Sequence, residues 1–273
     1  MRALEERGIS VTRACQLAGY NRSNVYYRRK QQDDPALKAR MHGLAQERPR
    51  WGWRRLFIVM RRRERYNVGE TRFLRLYREL RLQVRPRKKR KVNYVRGTLI
   101  TPVTAPNERW SLDFMHDRTI NGRQFRALTI GDDFTRECLA LEIAHSLGSA
   151  DVIRVFEGIA FERGLPRTIR FDNGSEFTSH KMLRWAAEHD VDLHFIQPGK
   201  PTQNANAESL NGRIRDELLN LYSFRNIFEA REIAEAWRCD FNESRPHSAL
   251  GYQTPKEFAA SLKTNAPSQL SAA

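Results

Sequence analysis

Cysteine is scarce: Cys15, Cys138 and Cys239 are the only three in 273 residues, and they lie far apart without a CxxC or Cys/His cluster. That spacing indicates neither a zinc site nor a disulfide framework, so each thiol is expected to be a small buried hydrophobe. Long apolar runs are also missing, and with no stretch of eighteen the sequence excludes a membrane-spanning helix. The first ten residues, MRALEERGIS, place acids where a signal peptide needs an apolar core, so a cytoplasmic protein is expected. Acidic residues are lacking in one region only. Residues 1–105 hold 28 Lys+Arg against 8 Asp+Glu, whereas residues 106–273 hold 20 against 24. The net charge of +16 therefore belongs to the N-terminal part. A polyanion such as double-stranded DNA is its natural partner, with a merely solubilising basic surface as the alternative. The length allows two or three domains around one sizeable core.

The basic region divides into three. In SVTRACQLAGYNRSNVYYRRK, a helix over Val11–Ala18 should stop at Gly19, and Asn21 or Ser23 can cap a second helix through Lys30. This helix-turn-helix pattern over 1–33 offers Arg22, Arg28, Arg29 and Lys30 to DNA. A second helical DNA-binding unit is expected over 34–84. Asp34-Pro35 opens its first helix, an arginine-rich helix covers Arg54–Arg65, and a third runs from Glu70 to Leu80. In that third helix Phe73, Leu74 and Tyr77 should share the inner face, with Arg72, Arg75 and Arg78 largely opposite. Residues 85–105 form a basic linker whose Arg87, Lys88, Lys89, Arg90 and Lys91 would lie on phosphates without reading bases.

From residue 106 the pattern changes. Arg109–Ile120 alternates as a strand, Asn121-Gly122 signals a type I′ hairpin, and strands Phe125–Ile130 and Glu137–Ile143 follow. Next come helix Ser149–Arg163, strand Thr168–Phe171, helix Lys181–His189, strand Val191–Ile196 and a helix bearing Glu208. The order β-β-β-α-β-α-β-α is that of a ribonuclease-H-like α/β core, a mixed five-stranded sheet flanked by helices, over 106–222. A C-terminal helical extension spans 223–262, including an amphipathic helix over Asn226–Phe241, and residues 263–273 are expected to be disordered.

Asp113 lies in the first strand, Asp172 ends the fourth, and Glu208 follows 36 positions later on a helix. Three such carboxylates can converge on two divalent cations, Mg²⁺ or Mn²⁺, and drive in-line attack on a phosphodiester. Other acids act as controls. Asp117 is about 13 Å along the strand from Asp113, and Asp216 and Glu217 are about 12–14 Å along the helix from Glu208, too far to share a metal. Glu176 stays open as an alternative third acid, and Asp132-Asp133 read as turn formers. Arg215, two turns beyond Glu208, either contacts a DNA phosphate or pairs with Asp216 or Glu217.

The acids, with 35 residues between the last two, resemble the DD(35)E signature of retroviral integrases and insertion-sequence transposases. The segments DNGSEF, FIQPGKPTQNANAESLNGRIRDELLN and FNESRPHSALGYQTP are similar to the integrase-type transposases encoded by the second reading frame of a large insertion-sequence family. WGWRRLFIVM and RFLRLYREL resemble the helix-turn-helix segment that these proteins carry upstream. The resemblance implies a metal-dependent transposase with Asp113, Asp172 and Glu208 as the catalytic, metal-binding triad. It also implies Arg215 as a DNA contact and Asn173, Gly174 and Asn204 as site-shaping residues. Expected partners are the element ends and target DNA, further copies of the chain, and an upstream-frame protein with which family members commonly act as a fusion. Trp51-Gly52-Trp53 departs conservatively from the family pattern, and the HHCC zinc module of retroviral integrases is missing. A ribonuclease-H-fold nuclease that only hydrolyses, and a non-catalytic DNA-binding regulator, are the rival readings.

Overall fold

Alternating side chains in the first strand give the sheet two buried faces. Trp110 and Leu112 enter one core cluster while Met115 enters another on the opposite side. The computed structural model describes residues 10–23, 34–84, 102–172, 174, 176–197 and 201–264. The expected helix through Lys30, the basic linker tract, Asn173 and the C-terminal tail lie outside them.

The sheet comprises β1 (Arg109–Arg118), β2 (Gln124–Asp132), β3 (Cys138–Ala144), β4 (Thr168–Phe171) and β5 (Asp192–Phe195). Its order is β3-β2-β1-β4-β5. β1 runs antiparallel to β2 and parallel to β4, and β4 runs parallel to β5, so the sheet is mixed. One face packs on α5 (Ser149–Arg163) and α6 (His180–Glu188) through Val152, Phe156, Met182 and Trp185. The other packs on α7 (Ala205–Ile214) and α8 (Ile227–Glu243) through Leu210, Ile214, Ala230, Ala234 and Phe241. α7 lies close on the sheet because Gly131 has no side chain; a Cβ there would come within 3.2 Å of Leu210 Cδ2.

The N-terminal helices are α1 (Val11–Leu17), α2 (Pro35–Glu47), α3 (Trp53–Arg62) and α4 (Glu70–Glu79). Gly19, at φ +63°, follows the end of α1. Asp34 caps α2 by accepting from the Ala36 N–H at 2.9 Å. The buried face of α4 is Phe73, Leu76 and Tyr77, with Leu74 only half-buried, a correction that restores the i, i+3, i+4 spacing of one helical stripe. This cluster is tied to the C-terminal helices: Arg48 grips Asp240 through two bonds of 2.7 and 2.5 Å, and Arg63 donates to the Glu243 carbonyl. The last helix, α9 (Pro255–Thr264), opens on a capping box. The Thr254 N–H donates to Glu257 Oε2 at 2.8 Å, and the Glu257 N–H donates to Thr254 Oγ1 at 3.2 Å.

Three further expectations need revision. Gly122 has φ +77°, but Asn121 is not left-handed, so the β1–β2 turn is not type I′. The Gly122 N–H instead donates to Thr119 O and the Thr119 N–H to Arg123 O, a longer loop with glycine at the left-handed position. Asp132 does build the next turn, accepting from the Phe134 and Thr135 N–H groups, yet Asp133 is a buried ion-pair partner of Arg109 at 2.6 Å. Cys15 and Cys138 are buried as expected, whereas Cys239 is half-exposed beside Glu235.

Candidate active site

Asp113 sits in mid-β1 on the face that meets α7. Its Oδ1 accepts the Phe114 N–H at 2.8 Å and its Oδ2 accepts Asn211 Nδ2 at 2.8 Å. Asn211, buried on α7, is itself held by Thr129 of β2, whose hydroxyl lies 2.7 Å from Asn211 Oδ1 and 3.0 Å from the Asp113 carbonyl oxygen. Thr129 is the cross-strand partner of Asp113. Asp113 makes no ion pair among the described residues. Burial pushes its carboxyl up to about 6, and the charges of Asp172 and Glu208 push in the same direction against the two hydrogen bonds.

Glu208, in the first turn of α7, is exposed at its tip, and partial desolvation holds it above the usual carboxylate range. Glu208, Asn211 and Arg215 follow at i, i+3 and i+7, so they form one stripe along the helix. With Asp113 and His116 they line a cleft of about 410 Å³. Arg215 is exposed at the start of a π-helical turn, Arg215–Leu219, that continues α7. Of the two alternative partners, Asp216 and Glu217, the latter is bound to Arg245 at 2.5 Å, and Arg215 lines the cleft.

Asp172 reaches the same place through sheet register. Ser111 is paired with Arg170 across the parallel β1–β4 ladder, and carrying the register two residues further sets Asp172 opposite Asp113. Neighbouring strands lie about 4.8 Å apart. Asp172 is exposed and its Oδ1 accepts the Gly174 N–H at 3.0 Å. Gly174 is crowded: a Cβ there would stand 3.1 Å from both Asp172 Oδ1 and Glu176 Oε2, so either carboxylate would have to shift by a few tenths of an ångström. Among the described residues no three His, Cys, Asp or Glu side chains already close on a single metal-sized point. The three acids share a neighbourhood and a field, with room between them.

Asn204 is buried before the start of α7 and donates from Nδ2 to the Leu112 carbonyl at 2.9 Å, which pins the helix to β1 one residue from Asp113. Glu176, the alternative third acid, is instead paired with Arg126 at 2.5 Å, and the Arg126 guanidinium lies 4.0 Å over the Phe114 ring. It clamps the loop after β4. Of the expected DNA-contacting residues, Arg22, Arg72 and Arg78 are exposed and Arg75 lies 3.4 Å from Glu79. Arg28, Arg29, Lys30 and Arg87, Lys88, Lys89, Arg90 and Lys91 lie outside the described residues. Asn211 was the residue that sequence reasoning missed. An asparagine in a helix interior is unfavourable, and its place three residues after Glu208 was the available signal.

A mixed five-stranded sheet of this order, with Asp113 on the central strand β1, Asp172 directly after β4 and Glu208 on the helix packed across the sheet, defines a ribonuclease-H-like polynucleotidyl transferase core. Residues 103–201 and 189–255 match integrase core domain families, and residues 31–90 match an HTH-like domain. An uncharacterized protein of insertion element IS407 from Burkholderia multivorans is 44% identical over 97% of this chain and 96% of its own length. Transposase InsD of insertion element IS2D from Escherichia coli is 24% identical, covering 83% of this chain and 79% of that protein. The fold is shared with a solved chain of the simian T-cell lymphotropic virus intasome in complex with the PP2A regulatory subunit B56 gamma. That match has a TM-score of 0.54 at 16% identity and covers 86% of this chain and 77% of the other. The chain belongs to the integrase-core transposases of bacterial insertion elements and is a DDE-type enzyme.

Proposed function

We propose that Asp113, Asp172 and Glu208 are the catalytic, metal-holding acids of this transposase, and that they cleave DNA at element ends and join the freed 3′-OH to target DNA. The observation that carries this reading is the placement of Asp113: half-buried in the cleft that Glu208 lines, without a cationic partner among the described residues, and held above the usual carboxylate range by burial first and by the charges of Asp172 and Glu208 second. An all-oxygen acidic set of this kind suits Mg²⁺, with Mn²⁺ as a substitute. Two bound divalent ions supply a lowered pKa at the attacking hydroxyl and charge neutralisation at the departing 3′ oxygen.

The chain's own residues do the positioning. Asn211 fixes one Asp113 oxygen and leaves the carboxylate oriented toward the cleft. Asn204 holds the start of α7 on β1, so Glu208 is presented from a rigid element. Gly174 gives Asp172 a backbone N–H at the strand end, and Arg215 lines the cleft where it would meet a DNA phosphate beside the acids. Because the attacking group is a water in one step and a 3′-OH in the next, the same acids serve both, and no covalent protein–DNA intermediate is required. The reading includes double-stranded DNA, further copies of this chain and an upstream-frame partner, acting in the bacterial cytoplasm.

The test uses a duplex with the element's own end, either intact or pre-cut to expose its 3′-OH, incubated with Mg²⁺ and target DNA. Asp113→Asn, Asp172→Asn and Glu208→Gln should each lower strand transfer by about a hundredfold or more, at least about 2.7 kcal/mol, while duplex binding persists. Near-normal joining by Asp172→Asn would falsify the assignment.

A further inference from the structure

A second cavity, of about 240 Å³, lies on the face of α7 opposite the acids. Asn206, Ser209, Leu210 and Arg213 face it, whereas Glu208, Asn211, Gly212 and Arg215 face the cleft. Its basic lining comes from four separate parts of the chain: Arg55 of α3, Arg136 of the β2–β3 turn, Arg213 of α7, and Arg245 with His247 after α8. The acids that share the lining are already engaged. Asp133 is bound to Arg109, and Asp132 and Glu137 are both bound to Arg163.

The cations are not balanced in the same way. Arg213 donates only to the carbonyl and hydroxyl oxygens of Ser209, Arg55 to the Pro246 carbonyl and Arg136 to Asn206 Oδ1. None of these three makes an ion pair among the described residues. Arg245, 2% exposed, spends Nε and Nη2 on Glu217, but its buried Nη1 has no partner among the described residues. His247, 5% exposed, leaves Nε2 buried and equally unpartnered among them. Buried polar nitrogens without partners beside uncompensated guanidinium groups are costly unless something fills the space between them. Burial, reinforced by the neighbouring positive charges, holds Arg55 and Arg213 down at about 10 and His247 at about 2.

We propose that this cavity binds a phosphate-class oxyanion, the backbone phosphate of bound DNA or free inorganic phosphate, through Arg55, Arg213, Arg245 and His247. A tetrahedral anion presents several acceptor oxygens to donors arriving from different directions, which guanidinium groups serve well. The bound anion joins the HTH-like helices, the helix that carries Glu208 and the segment after α8. The site rests on its own lining and is independent of the roles given to the three acids.

The experiment follows thermal unfolding of the full chain in low-millimolar inorganic phosphate at constant ionic strength, compared with chloride alone. A saturable rise in Tm is expected for the parent chain and for the exposed control Arg154→Gln, and its loss in Arg213→Gln and His247→Gln. In chloride alone, Arg213→Gln and Arg55→Gln should unfold no lower than the parent, since each relieves like-charge repulsion. A second arm measures affinity for a short duplex against salt. If the anion is a DNA phosphate, Arg213→Gln reduces the slope of log K against log salt by roughly 1; if it is free phosphate, only the thermal response disappears. The proposal is overturned if phosphate gives no saturable rise and the slope is unchanged, or if both arginine variants simply destabilise the protein in chloride.

Discussion

Burial first, and the charges of Asp172 and Glu208 after it, work against the ionised form of Asp113. Its folded carboxyl stands at about 6, above the ordinary value of 3.8. The ionised form is thus disfavoured in the folded protein, and stability present below about pH 4 is lost as pH rises through 6. In EDTA, Asp113→Asn should therefore raise Tm at pH 7.5, and the gain should vanish near pH 3.5. Equal Tm values for the two chains at pH 7.5 would contradict the electrostatic account. Asn211 works the other way, because its amide donates to Asp113 and lowers that pKa. Asn211→Ala should move the Asp113 titration to higher pH in metal-free protein, read by carboxyl-carbon NMR, and should slow joining most at the acid end of the pH profile.

Among the elements, the turns hold the clearest predictions. Gly122 is left-handed, at φ +77°, and has open space around its Cβ position, so Gly122→Ala adds backbone strain without a clash. A stability loss of about 1 kcal/mol is expected in chemical denaturation, with the cleft unaltered. Thr254→Ala removes one half of the α9 capping box and should cost a similar amount, about 1 kcal/mol. The same elements show how much could be read beforehand. Ser149–Arg163 and Thr168–Phe171 have the bounds that their Gly and Pro stops predicted, since local chemistry decides such ends. The Asn121-Gly122 turn was misread because dipeptide preference cannot reveal how many residues a hairpin uses. Leu76 in place of Leu74 on α4 was within reach of helical periodicity, because Phe73, Leu76 and Tyr77 keep the i, i+3, i+4 spacing that Leu74 breaks. At the site, helical spacing set Glu208 and Arg215 on one face of α7, and both line the cleft with Asp113. Asn211, the Arg126 clamp on Glu176 and the crowding at Gly174 were not legible from spacing. The first two join segments 98 and 50 residues apart, and the third depends on a close backbone approach.

At the scale of the whole molecule, the two ends of the chain are physically joined. The HTH-like helices have their own core around Met41, Met60 and Phe73, yet Arg48 and Arg63 fasten them to Asp240 and Glu243. Removing this fastening should not unfold either part. Arg48→Ala leaves Asp240 half-exposed and free to meet water, so a loss of about 1–2 kcal/mol is expected in chemical denaturation. DNA affinity should fall steeply with salt because the excess charge is N-terminal. Replacing Arg87, Lys88, Lys89, Arg90 and Lys91 by alanine should flatten log K against log salt by roughly 0.9 for each phosphate that is no longer neutralised.

The Arg48–Asp240 clasp has a geometric corollary for where a strand is broken. Under the proposed function, a duplex seated on the N-terminal helices would meet the acidic cleft at an offset dictated by protein dimensions, and the enzyme would carry its own ruler along the DNA. Loosening that ruler with Arg48→Ala should scatter the nicks over neighbouring nucleotides rather than abolish them, an outcome that sequencing the cleaved ends would expose directly.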